Sequence, residues 1–115
     1  MLFLEYPPCS TCKKAKQYLL DRGLAFEARH IKEQNPSYEE LKDWHARSGL
    51  PLKRFFNTSG LLYQSMGLKD KLPDMIEEEQ LRLLATDGML VKRPIVVKDG
   101  LVLVGFRPKE WDEKL

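Results

Sequence analysis

Cys9-Ser10-Thr11-Cys12 stands where the first apolar run of the chain stops and a helical pattern begins, and it holds the only two cysteines. Leu2-Phe3-Leu4 reads as a strand, Pro7-Pro8 as a bend, and Cys9 as the entry to a helix. A thiol at a strand-to-helix junction narrows the fold more than any other stretch. Unpaired N–H groups and the positive end of the helix dipole gather at such an entry and favour a thiolate. Cys12 follows one turn later, close enough to close a disulfide with Cys9. The pair reads as redox chemistry, with Cys9 and Cys12 as the candidate catalytic residues.

The plainer readings fit less well. A structural disulfide between cysteines three apart closes a tiny loop and constrains little of the unfolded chain. Zinc needs further ligands, and His30 and His45 lack paired ligand spacing, so no metal site is expected. Inert core cysteines do not suit a stretch whose neighbours Pro7, Pro8, Ser10 and Thr11 are turn and cap residues.

Length and composition set the remaining bounds. At 115 residues, a single domain over 1–115 is expected. A net charge of +2 argues for neither direct nucleic-acid binding nor an anionic membrane, and no run approaches the ~20 apolar residues of a membrane span. Met1 to Tyr6 lacks the basic region and long apolar core of a signal peptide, so a reduced cytoplasmic location is expected. Asn57-Thr58-Ser59 is then a chance glycosylation match.

Residues 10–22 read as a helix with Cys12, Ala15 and Leu19 on one face, ended by Gly23. Residues 25–31 read as a second strand, completing a β-α-β crossover. A helical block follows over about 36–90. Ser37 with Glu40 predicts a capping box, with Leu41, Trp44, His45 and Ser48 on one face until Gly49. Residues 61–66 read as a short helix, and 76–87 as a longer one with Glu77, Glu78 and Glu79 in its first turn and Gly88 as its stop. Pro94 to Lys98 and Leu101 to Gly105 flank Asp99-Gly100, which predicts a hairpin with a type I′ turn. Pro108 opens a last helix.

The order β-α-β, helical block, β-β-α resembles a thioredoxin or glutaredoxin-like α/β fold with a mixed four-stranded sheet and an inserted helical block. Three markers bring the whole chain close to the ArsC-type arsenate reductases and their relatives, the Spx regulators. They are Pro8-Cys9-Ser10-Thr11-Cys12-Lys13, Arg93-Pro94 before an apolar strand, and Gly105-Phe106-Arg107-Pro108 after the last strand. The resemblance implies that Cys9 is the nucleophile, that Arg93 and Arg107 hold an oxyanion, and that Pro94 is cis beside the active cysteine. Ser10, Thr11 and Lys13 join them as the substrate- or anion-binding set. The plainer reading of the two arginines is surface ion pairing with Glu110 or Asp112.

The chain also departs from the reductases. Asn57 stands where they carry a third arginine, with Arg54 three residues away. Glu5 stands where they keep a histidine that lowers the pKa of the nucleophile, and it would act in the opposite sense. Cys12 is a second cysteine of the Spx kind. The expected function is therefore a thiol–disulfide oxidoreductase in which Cys12 resolves an intermediate on Cys9, with weak or no arsenate turnover. The expected substrate is a small oxyanion, glutathione or a protein disulfide. No bound cofactor is expected, and glutathione, glutaredoxin or thioredoxin is the expected reductant. The alternative is a redox-switched, Spx-like regulator that binds RNA polymerase and turns nothing over.

Overall fold

Alternation sets how the first strand sits. In β1 (Leu2–Glu5), successive side chains point to opposite faces, and Phe3 and Leu4 enter two separate cores. The computed structural model describes residues 1–115, and its sheet runs β2-β1-β3-β4 with β2 (Glu27–His30), β3 (Ile95–Lys98) and β4 (Leu101–Val104). β1 is parallel to β2 and antiparallel to β3, and β3 is antiparallel to β4. This is the mixed α/β sheet that the element order implied. Leu4 pairs with Ile95, and Ile95 with Val104, so the end of β1, the start of β3 and the end of β4 share one edge. The segment after β1 with Cys9, the segment before β3 with Arg93 and the segment after β4 with Arg107 all meet the sheet at that edge.

One face of the sheet packs Phe3, Val96 and Leu103 against Ala15 and Leu19 of helix α1 (Ser10–Asp21) and Trp111 of helix α6 (Pro108–Lys114). The other packs Leu4, Ile95, Val102 and Val104 against the helical block. That block holds α2 (Tyr38–Ser48), α3 (Leu61–Ser65), α4 (Leu68–Lys71) and α5 (Glu77–Leu84), joined by short 3-10 turns. The Ser37–Glu40 capping box is formed, with Glu40 N–H on Ser37 Oγ at 3.1 Å and Ser37 N–H on Glu40 Oε1 at 3.0 Å. No helix is long and apolar enough to cross a membrane.

Three local expectations need correction. The second strand covers only Glu27–His30 and is largely exposed, because it is an edge strand paired on one side. The helix expected over 76–87 ends at Leu84, and Gly88 belongs to a separate 3-10 turn, Gly88–Leu90, opened by Met89 N–H donating to Asp87 Oδ1 at 2.8 Å. A Cβ on Gly88 would lie 1.8 Å from the Ile31 carbonyl oxygen, so the glycine serves a close backbone approach and not a helix stop. In the hairpin, Asp99 takes φ 44° while Gly100 stays outside the left-handed region, so the turn is not type I′.

The edge strand is tied down by charge. Arg29 grips Glu40 through two bonds of 2.7 and 2.9 Å, joining β2 to the start of α2. The Arg29 guanidinium, with the Ser37 N–H behind it, holds the Glu40 carboxyl below its ordinary range. A lowered carboxyl pKa stabilises the fold above the usual carboxylate range, and that contribution is lost as pH falls through the folded value. Glu40→Ala is therefore expected to cost about 1 kcal/mol at neutral pH, after allowance for solvent screening, with the gap to wild type narrowing at a pH below the ordinary carboxylate range. Urea unfolding of both proteins at the two pH values checks it.

Candidate functional site

The site begins with backbone. Cys9 N–H donates to the Tyr6 carbonyl at 2.8 Å across Pro7-Pro8, and the Cys9 carbonyl accepts Lys13 N–H at 3.1 Å. Cys9 is thus the extended residue just before α1, at φ −73° and ψ 125°. Its side chain makes no capping bond of the Ser or Asp kind. The N–H groups of Thr11 and Cys12 are turned instead on the Cys9 sulfur.

The two thiols are pushed in opposite directions. Partial burial raises the Cys9 thiol, yet the N–H and thiol of Cys12, the Thr11 N–H and the Arg93 guanidinium together hold it below the ordinary thiol value. Cys12 is wholly buried and reduced, and its thiol is pushed up to about 12. Burial is the main cause, and a bond and charge from Cys9 add to it. The Tyr6 N–H, 3.5 Å from Cys12 Sγ, and the Arg93 charge pull the other way. A half-buried, more acidic thiol stands one turn from a buried, weakly acidic one.

Arg93, just before β3, reaches Cys9 from the strand next to β1. Its peptide bond to Pro94 is cis, as the resemblance implied, and Pro94 is buried. The guanidinium lies 5.2 Å from the Tyr6 ring centroid and donates to the Met89 carbonyl at 3.5 Å. The structure thus brings together Cys9, Cys12, Thr11 and Arg93, with Pro94 next to Arg93 in the chain. Arg107 is not on the sulfur. It is exposed at the start of α6 and lines a cleft shared with Thr11, Arg54 and Lys92. Neither Arg93 nor Arg107 forms an ion pair, and Asp112 is taken by Arg22 at 2.5 Å and by Tyr18.

Other expected residues sit elsewhere. Lys13 and Ser10 are exposed in the first turn of α1 and are not among the groups acting on the thiol. Glu5 does not oppose the thiolate: it is buried and paired with Lys16 of α1 at 3.1 Å. Asn57 lines the same cleft as Arg93, while Arg54 faces the other, so Arg54 does not stand in for an arginine at Asn57. His45 is a helix residue, 3.3 Å from Glu77 and packed edge-on against Phe55. Tyr6 and Lys92 were missed by sequence reasoning. Nothing local announces that a ring before Pro7 lies under a distant arginine, whereas the Lys92-Arg93 pair ahead of Pro94 was a readable cue.

A sequence model of the ArsC family matches residues 4–114. The chain is 50% identical over 113 residues to the uncharacterised protein YusI of Bacillus subtilis, covering 98% of this chain and 96% of that one. It is 28% identical over 110 residues to the regulatory protein MgsR of the same organism, covering 96% and 86%. The arsenate reductase of Neisseria meningitidis serogroup A is 34% identical over 105 residues, covering 90% and 87%. The crystal structure of an ArsC family related protein from Bacteroides fragilis matches with a TM-score of 0.95 at 56% identity, covering 97% of this chain and 94% of that one.

Proposed function

The chain belongs to the ArsC family, and from that premise we propose that it is a thiol–disulfide oxidoreductase with Cys9 as nucleophile and Cys12 as resolving thiol. The observation that carries this reading is the opposed acidity of two thiols within one helical turn. The Cys9 thiolate attacks one sulfur of a substrate disulfide, a new S–S bond forms, and the second substrate sulfur leaves as a thiolate. Cys12 then gives up its proton, attacks the Cys9 sulfur and displaces the first substrate thiolate. Two electrons have passed to the substrate, and an external thiol reduces the Cys9–Cys12 disulfide.

The order of events follows from the charges. While Cys9 is a thiolate, its charge and hydrogen bond help to keep Cys12 protonated. Once Cys9 is bonded to substrate, both effects vanish and only burial still opposes ionisation of Cys12. The resolving thiol is therefore released by the formation of the intermediate that it resolves. Arsenate is a poor substrate in this reading, because Asn57 brings no charge to the cleft beside Arg93.

Multiple-turnover reduction of a small disulfide, with an external thiol as reductant, tests the proposal. A second reading, a redox-switched regulator acting on a protein partner such as RNA polymerase, is favoured by the likeness to MgsR. No turnover, together with a polymerase interaction that changes on oxidation, decides for that second reading.

Arg93 tests the activation of the thiol. A charge-assisted hydrogen bond is worth roughly 1.5–3 kcal/mol, less where solvent screens it. Arg93→Ala is therefore expected to raise the Cys9 pKa and slow its alkylation near neutral pH about 3- to 10-fold. The iodoacetamide rate measured against pH reads both effects, and an unchanged midpoint would remove Arg93 from the activation of Cys9.

A further inference from the structure

Arg93 brings a full positive charge to the Cys9 sulfur, yet little else holds its guanidinium there. The guanidinium makes one hydrogen bond to the backbone, to the Met89 carbonyl, and at 3.5 Å that bond is long. It forms no ion pair, although Asp87 lines the same cleft. The Asp87 carboxylate is engaged at its own turn, where Oδ1 accepts the Met89 N–H at 2.8 Å. A long side chain held by one weak bond samples many rotamers, and a cation spread over them acts weakly on a thiolate.

The face of Tyr6 supplies the constraint that is otherwise missing. The guanidinium carbon lies over the Tyr6 ring, 5.2 Å from its centroid, where the ring quadrupole attracts a cation. The ring is itself set in place. It packs nearly perpendicular to His30, with 5.9 Å between the centroids, and His30 Nδ1 accepts the N–H groups of Lys32 and Glu33 at 3.3 and 3.2 Å. An aromatic face holds a guanidinium without cancelling its charge. A carboxylate in the same place would hold it too, but its negative charge beside the sulfur would offset what the arginine brings to the thiolate.

We propose that Tyr6 is a positioning residue for the nucleophile, its ring face keeping the Arg93 guanidinium on the Cys9 sulfur. This deepens the oxidoreductase reading, and the place of Tyr6 in catalysis rests on that reading. The side chain acts through Arg93 and takes no part in the exchange of sulfur bonds. Because the cation lies over the ring, the hydroxyl is dispensable.

Iodoacetamide alkylation of Cys9, followed against pH in the reduced protein, tests the proposal. Tyr6→Leu keeps an apolar side chain but removes the ring. It is expected to move the alkylation midpoint to higher pH and to slow the reaction near neutral pH about 2- to 5-fold. Tyr6→Phe keeps the ring and should restore the wild-type midpoint. In Arg93→Ala protein, Tyr6→Leu is expected to add less than about 1.5-fold, because the group through which it acts is already gone. Thermal unfolding verifies that each variant is folded. An unchanged midpoint in Tyr6→Leu overturns the inference. So does a Tyr6→Leu effect as large in Arg93→Ala protein as in wild type, since the ring then only supports the loop. Equal impairment of Tyr6→Phe and Tyr6→Leu overturns it as well, since the aromatic face is then not what holds the arginine. All of these outcomes read the thiol alone, whereas turnover of a small disulfide by wild type judges the oxidoreductase reading. If the midpoints move as expected and no disulfide is turned over, that reading falls, and Tyr6 stands as the residue that positions Arg93 on a reactive thiol.

Discussion

Serine at position 9 is expected to abolish disulfide reduction, lowering turnover by at least about a thousandfold, because a hydroxyl at neutral pH supplies no thiolate to attack sulfur. Serine at position 12 is expected to act differently. The first exchange still proceeds on Cys9, but no buried thiol displaces the substrate, so Cys12→Ser protein accumulates a mixed disulfide. Without external thiol, wild type should reduce one equivalent of disulfide and end with Cys9 joined to Cys12. Cys12→Ser should instead gain the mass of half the substrate, released again by dithiothreitol. Intact-protein mass spectrometry distinguishes the two products. The reading is lost if Cys9→Ser keeps wild-type turnover, or if the trapped adduct sits on Cys12 in the reverse variant.

Gly88→Ala is expected to be the most damaging small substitution outside the thiol site, at about 3–5 kcal/mol. The new methyl would meet the Ile31 carbonyl oxygen at 1.8 Å, its carbon at 2.7 Å and Lys32 Cα at 3.1 Å, all backbone atoms that cannot swing aside. Either the turn Gly88–Leu90 or the end of β2 must move. That turn is also a hub for the site: Asn57 N–H donates to the Leu90 carbonyl at 2.8 Å, and Arg93 reaches the Met89 carbonyl. Stability loss should therefore be accompanied by slower Cys9 alkylation in whatever folded protein remains. Gly100→Ala is the control, since a Cβ there meets nothing within 4 Å and needs no left-handed backbone. Urea unfolding that places both variants within about 0.5 kcal/mol of wild type would show that the close approach relaxes without cost.

What was legible in the chain was local and periodic. The spacing of Cys12, Ala15 and Leu19 told which face of α1 is buried, and Ser37 with Glu40 told where α2 starts, because each signal spans a single turn. The mixed four-stranded sheet was implied by the resemblance that the order of elements carries. What failed depends on contacts between distant segments. Gly88 looks like a helix stop from its neighbours alone, and only the packing of its turn on Ile31 reveals another reason for it. Glu5 looked like an electrostatic handicap because its nearness to Cys9 in sequence was readable while its partnership with Lys16 was not. Lys13 and Arg107 carried the right charge in the right motifs, but a helix turns one away from the sulfur and a strand end sets the other one cleft over.

Lys92 and Arg93 are neighbours in the chain, yet they line separate clefts. A change of charge at Lys92 therefore alters one cleft while Arg93 stays in the other and on the Cys9 sulfur. No such separation exists at Tyr6, whose carbonyl takes the Cys9 N–H while its own N–H lies on the Cys12 sulfur, so a shift of that one peptide moves both thiols at once.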